Sequence, residues 1–304
     1  MVDFFDIGKT SMISFNKLEN EIYMKCENEN PTGSIKDRSI WYMIKDIIDF
    51  EKNEKKEIHF VIASSGNAGI SLAYLCQIYG HRCSIFVSKD IEKSKMRILN
   101  KLGADVRLCS GVKSTSLGGW IYESLKFYNE LNTDNKYYID QFDNSLNIEA
   151  HFDSTAPEIF SFFENQFLQL DYIFLGIGSG GTAAGIQKYI DKYQKLTKIV
   201  ICDPVGGILF DAYKGNNLNY EDHNIEAISD SFIPRNVTNI HQFSEVIRME
   251  DEILNNGRKQ LLFESKILAG DVTSFVYASI IEYIKIHNLK DKHILLLNTE
   301  EGFR

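Results

Sequence analysis

With 304 residues, 44% hydrophobic and 25% charged, the chain has the balance of a globular protein that can bury one large core or two lobes sharing a cleft. Its 42 acids against 33 lysines and arginines give a formal net charge of −9, which argues against a nucleic-acid surface and favours solubility. No apolar run approaches the ~18 residues of a membrane span, and the acidic first residues do not make a secretion signal. Five scattered cysteines without a C-x-x-C pair, Cys26, Cys76, Cys83, Cys109 and Cys202, point to reduced thiols in the cytoplasm rather than disulfides or a structural zinc site.

The first predicted helix begins near Ser34, where Trp41, Ile44, Ile47 and Ile48 recur at helical spacing among polar residues. The lysine-rich stretch 51–57 reads as a solvated connector. From 58 to 204 short β-branched runs alternate with helix-length amphipathic stretches. Strands are expected at 58–63, 82–87, 105–109, 137–139, 172–175 and 198–202. Helices are expected at 70–79, ended by Gly80, at 91–102, ended by Gly103, and at 183–193. Strand, helix, strand in regular succession implies an α/β fold of parallel sheets with helices on both faces. Its crossovers should be right-handed and its ligands should sit at the carboxyl ends of the strands. The polar stretch 214–224 reads as a surface excursion, and no internal repeat is present.

Three loops carry candidate chemistry. Asn30-Pro31-Thr32-Gly33-Ser34-Ile35-Lys36 is a rigid turn that fixes where its lysine points. An amine held in a poorly solvated pocket has a lowered pKa and can form a Schiff base with an aldehyde; the alternative is a solvated surface lysine. Ser64-Ser65-Gly66-Asn67-Ala68-Gly69 follows a strand and opens a helix, where unpaired N–H groups and the helix dipole suit an anion; the alternative is a plain helix cap. Gly176-Ile177-Gly178-Ser179-Gly180-Gly181-Thr182 again joins a strand to a helix, and its glycines let backbone approach a phosphate closely. The last loop also fits G-x-G-x-x-G, with Asp203 following at about the usual distance, but it lies deep in the chain rather than in the first βα unit.

Taken in this order, the three loops resemble the fold-type II pyridoxal-phosphate enzymes, the family of cysteine synthase and of the catalytic core of cystathionine β-synthase, over the chain from about Ile7 onward. The resemblance implies a two-lobed fold like that of tryptophan synthase β, with a smaller lobe over 36–146 and a larger cofactor-binding lobe from 1–35 plus 147–304. It implies pyridoxal 5′-phosphate as cofactor, held as an imine by Lys36, with Asn67 on its phenolic oxygen. Gly178, Ser179, Gly180, Gly181 and Thr182 would cradle the phosphate, and the Thr299 hydroxyl would meet the ring nitrogen. Ser64, Ser65, Gly66 and Ala68 would hold a substrate carboxylate with Gln141. The implied partners are a small amino-acid substrate and a second copy in a homodimer, with no nucleic acid, membrane or metal.

Two departures stand out. Ala68 replaces the threonine usual in the family, which removes one hydroxyl from the carboxylate site. The stretch Ala227–Pro234, where relatives carry small uncharged residues, holds Asp230. It reads either as a solvent-facing acid or as a base activating water or a thiol. Asp271 reads as a helix cap, and since the sequence ends soon after Thr299 no appended regulatory module is expected. The resemblance implies β-replacement or β-elimination through an aminoacrylate, on L-cysteine, O-acetylserine or O-phosphoserine, with sulfide as leaving group or nucleophile. The rivals are a serine or threonine dehydratase, a non-catalytic binding protein of the same fold and a nucleotide-dependent oxidoreductase.

Overall fold

The computed structural model describes residues 7–52, 56–64, 66–111 and 114–302, and its strands sort into two sheets. The larger has six strands in the order β1 (Met12–Lys17), β2 (Asn20–Lys25), β10 (His293–Leu297), β7 (Tyr172–Leu175), β8 (Lys198–Pro204) and β9 (Glu245–Met249). Only the β1–β2 hairpin is antiparallel. The smaller sheet is wholly parallel, in the order β5 (Asp105–Cys109), β4 (Arg82–Ser88), β3 (His59–Ala63) and β6 (Lys136–Ile139). All six strands expected between 58 and 204 are present, each displaced by two residues or fewer at either end.

Central strands such as β8 and β10 are continuous apolar runs because both faces are covered. Alternation along the strand assigns each residue a side: Ile173, Ile199 and Leu295 enter one core of the larger sheet, while Phe174, Val200 and Leu296 enter the other. The smaller sheet likewise sends Phe60, Ile62, Ile85 and Val87 to one face and Val61 and Phe86 to the other.

The first helix, α1 (Lys36–Lys52), starts two residues after Ser34 and buries Ile40, Ile44 and Ile48 at four-residue spacing. The next two, α2 (Asn67–Tyr79) and α3 (Lys93–Lys101), lie at the expected places, and Gly80 closes α2 in the left-handed conformation. Then come α4 (Trp120–Glu130), α5 (Ser145–Ala150), α6 (Ala156–Asn165), α7 (Gly181–Lys192), α8 (Leu209–Lys214) and α9 (Ile253–Ser265). The last, α10 (Asp271–His287), is buried along most of its length, and Asp271 is its first residue, paired with Arg258, rather than its cap, which is Gly270. Among the described residues no helix is long and apolar enough to cross a membrane.

Strand order decides where a ligand can sit. The chain leaves β3 toward β4 on one side and later returns to β6 on the other; it leaves β7 toward β8 and returns to β10. The carboxyl ends of β3 and β7 are therefore topological switch points, where flanking loops part and leave a crevice. The Ser64–Gly69 loop follows β3, and the Gly176–Thr182 loop follows β7.

Candidate active site

Lys36 is fixed by what its neighbours do. Thr32 donates from its amide and hydroxyl to Asp37, at 2.7 and 2.5 Å, and Ser71 of α2 donates to the same carboxylate. Arg38, only 1% exposed, bonds to both Glu27 and Glu158, and Lys25 pairs with Glu158 as well. The Ile35 amide donates to the Thr299 carbonyl, so the loop is also tied to the end of β10. From this frame the Lys36 Nζ reaches the Ser179 hydroxyl at 3.3 Å. Burial pushes its pKa down to about 8, against the opposing charge of Glu300. Such an amine is uncharged, hence nucleophilic, in a far larger share near neutral pH than a solvated lysine is.

In the second loop, Ser64 Oγ accepts from the amides of Gly66 and Gly69, both at 3.0 Å. That hydroxyl holds the turn as an acceptor and keeps its own hydrogen, which it can still donate to a carboxylate in the crevice. Ser65 lies outside the described residues. Gly66 adopts a φ of 141°, and the first turn of α2 follows at once, presenting the amides of Asn67 and Ala68 without intrahelical acceptors. The Asn67 amide nitrogen donates to Glu300, whereas its Oδ1 is buried with no partner. Gln141 is buried and donates to the Ala63 carbonyl at 2.8 Å.

The glycines of the third loop answer to packing as well as to any ligand. A Cβ on Gly178 would meet the Ala227 carbonyl at 2.1 Å, and one on Gly181 would meet Asn147 Oδ1 at 2.0 Å. Gly180 sits at a φ of 82° and caps α7. Ser179 Oγ takes Asn147 Nδ2 at 3.1 Å in addition to Lys36. Thr182 Oγ1 lies 3.1 Å from His151 Nε2, and His151 Nδ1 lies 2.9 Å from Thr155 Oγ1. Burial first, then the charges of Arg38 and Lys36, hold His151 well below the ordinary histidine range, so the ring is neutral. With its proton on Nε2 it donates to Thr182, whose own hydroxyl hydrogen is then available to an anion. His151 lies in a π-helical turn, 151–155, and nothing local in the sequence marks it.

These loops border two cavities that share Lys36, Gly178 and Ser179. The larger, about 280 Å³, is lined among others by Ala68, Gln141, Tyr220, His223 and Asp230. The stretch 214–224 therefore supplies cleft residues and is not simply a surface excursion. Asp230 Oδ1 accepts from Ser114 Oγ at 3.1 Å and from the amide and hydroxyl of Ser231, and Oδ2 accepts none of these. The smaller cavity, about 70 Å³, is lined among others by Asn67, Thr182, Thr299 and Glu300. Glu300 escaped the sequence reading, although a carboxylate just past a parallel strand's carboxyl end was a signal in plain sight.

A buried lysine of lowered pKa facing a helix N-terminus built for an anion, with the side-chain amide of Asn67 beside them, suits a phosphate-bearing aldehyde with a polar ring substituent. The fold and crevice thus define an α/β enzyme that works through such a cofactor. The chain belongs to the pyridoxal-phosphate dependent enzyme family, whose model matches residues 4–300, and pyridoxal phosphate is its cofactor. Cysteine synthase B of Campylobacter jejuni is 31% identical over 264 residues, covering 87% of this chain and 83% of its own length. Cystathionine β-synthase of Apis mellifera is 29% identical over 98% of this chain, which spans 58% of that protein. The chain spans about half the length of the cystathionine β-synthases it matches. The crystal structure of a hydrogen sulfide-producing enzyme from Fusobacterium nucleatum matches with a TM-score of 0.85 at 27% identity, covering 98% of this chain and 97% of that one.

Proposed function

We propose that the chain catalyses β-replacement and β-elimination on a small amino acid, L-cysteine, O-acetylserine or O-phosphoserine, with sulfide leaving or attacking. The observation that carries this reading is the placement of the Lys36 amine between the anion-binding loop at α7 and a cavity that holds Asp230. The cofactor, when bound, supplies a sink for the electrons left at the substrate Cα.

Lys36 would hold that cofactor through Nζ and would serve as the base that takes the proton from the substrate Cα; its pKa near 8 suits both tasks. Residues Gly178 to Thr182 hold the phosphate, Thr182 being readied for it by neutral His151. Asn67 would contact the ring oxygen and the Thr299 hydroxyl the ring nitrogen, both residues lining the smaller cavity. The amides of the first turn of α2, with Gln141, hold the substrate carboxylate. Asp230 repels hydrosulfide but accepts a proton from water or a neutral thiol, which favours cysteine as donor with sulfide leaving. The same reading takes residues 36–146 as the smaller lobe and the working enzyme as a cytoplasmic homodimer.

The test is a product assay on the cofactor-loaded protein with cysteine, O-acetylserine and O-phosphoserine, each with and without sulfide, and with serine and threonine alone. Hydrogen sulfide from cysteine, accompanied by a β-substituted amino acid, is the expected result. Release of keto acid from serine or threonine, with no β-substituted product from any donor, would overturn it in favour of a dehydratase.

A further inference from the structure

Glu300 places a carboxylate, 9% exposed, in the wall of the smaller cavity. It accepts from the Asn67 amide nitrogen and lies 3.7 Å from the ammonium of Lys95. Lys95 belongs to α3, beside the smaller sheet, and is only 4% exposed. Its ammonium also stands 3.1 Å from Glu92 on its own helix and 3.8 Å from Glu226 on the loop bordering the cleft. Its methylenes press on the turn that carries Asn67: a Cβ on Gly66 would meet Lys95 Cδ at 2.7 Å. A buried cation thus reaches from one sheet's helices to the end of the other sheet's central strand and meets there the residue that grips Asn67.

The chemical consequence concerns which way the amide faces. A carboxamide offers donors on one side and an acceptor on the other, and the two orientations have nearly the same shape. An ionised carboxylate accepts only, so Glu300 admits just the orientation with nitrogen toward it. The amide nitrogen keeps a second N–H for another partner, and its Oδ1 is buried with none. The Lys95 ammonium, 3.7 Å away, holds the Glu300 carboxylate in place from its far side.

We propose that Glu300, steadied by Lys95, is a positioning residue that selects the orientation of the Asn67 amide, so that an N–H rather than the carbonyl meets the ring oxygen of the cofactor. This rests on the reading of Asn67 as the cofactor's contact. Glu300→Gln keeps the shape but can both donate and accept, so the selection is lost.

The experiment is a double-mutant cycle read by pyridoxal phosphate affinity of the cofactor-free protein and by the visible absorption band after loading. Asn67→Ala should weaken binding. Glu300→Gln should weaken it about tenfold, the scale of one lost charge-assisted hydrogen bond, and shift the band. In the Asn67→Ala background the further effect of Glu300→Gln should fall below about twofold, because its target is gone. If Glu300→Gln does not fold, Glu300→Asp, which keeps the charge but shortens the reach, is read in the same two backgrounds with the same expectation. Unchanged affinity and spectrum in the Glu300 variant while Asn67→Ala weakens binding, or a full Glu300 effect without Asn67, overturns the proposal. Unchanged binding in Asn67→Ala sinks the Asn67 assignment first, and this inference with it.

Discussion

The two sides of the crevice are built to different standards. Around Lys36 and the glycine loop, polar side chains are tied at several points: Asp37 to Thr32 and Ser71, Arg38 to Glu27 and Glu158, Asn236 to the carbonyls of Gln141 and Ser179. The facing stretch, 220–231, is mostly polar and partly exposed, and puts two non-glycine residues, Ala227 at φ 65° and Ser229 at φ 53°, in the left-handed region. Each costs on the order of 1 kcal/mol or more and persists only because neighbours hold it. Here the anchors are the Ser229 amide on the Ile177 carbonyl and the Ser229 hydroxyl on fully buried Asp203. The side to which the proposed function assigns the cofactor is over-determined, as a reaction with one demanding geometry requires. The side to which it assigns the substrate carries strain and charge, and there Asp230 stands outside the frame that holds Lys36.

On that contrast, losing Lys36 from the first side should stop the chemistry, whereas a change at Asp230 on the second should slow one half-reaction and spare the other. Lys36→Ala should lower turnover by roughly 10³-fold or more and leave no cofactor trapped by borohydride, checked by steady-state rates and mass spectrometry. Near-normal turnover would refute the site. In the cofactor-free protein, acylation of Lys36 should rise with pH around a midpoint near 8, because the neutral amine reacts and burial disfavours the cation. A midpoint with the surface lysines, above about 10, would mean the pocket is wet. Asp230→Asn should leave sulfide release from cysteine intact but slow the addition of the nucleophile by about 100-fold, seen in stopped-flow separation of the two half-reactions. An unchanged second half-reaction would make Asp230 a rim acid. The smallest effect is expected from Thr182→Val, which removes one hydroxyl donor: pyridoxal phosphate affinity should fall roughly three- to tenfold by titration, with the fold intact. That variant tests the phosphate site more cleanly than a change at Gly181, where Asn147 would clash whether or not a ligand binds.

The local features of this chain were readable before any coordinates. Apolar periodicity located every strand from 58 to 204, glycines at 80 and 103 marked helix ends, and the three loops stood out because a tight turn or close backbone approach needs particular residues at fixed spacing. The β1–β2 hairpin and β9 escaped notice, and β10 was legible only at its end beside Thr299, through the resemblance, so the strand order that creates the crevice was not. The partnerships that make the site span far more chain than any periodicity: Lys36 to Ser179 across 143 residues, Ser114 to Asp230 across 116, Asn67 to Glu300 across 233. Parallel crossovers bring such distant residues together by placing successive strand ends along one edge, an arrangement no local window contains. Thr299 and Glu300 make the point within two residues. Both line the smaller cavity, yet the Thr299 backbone is held by Thr273 and Ile35 while the Glu300 side chain reaches Asn67 and Lys95. Which of two neighbours meets which partner follows from the pairing of β10 with β2 and β7, because a strand shifted by one residue turns each side chain to the opposite face.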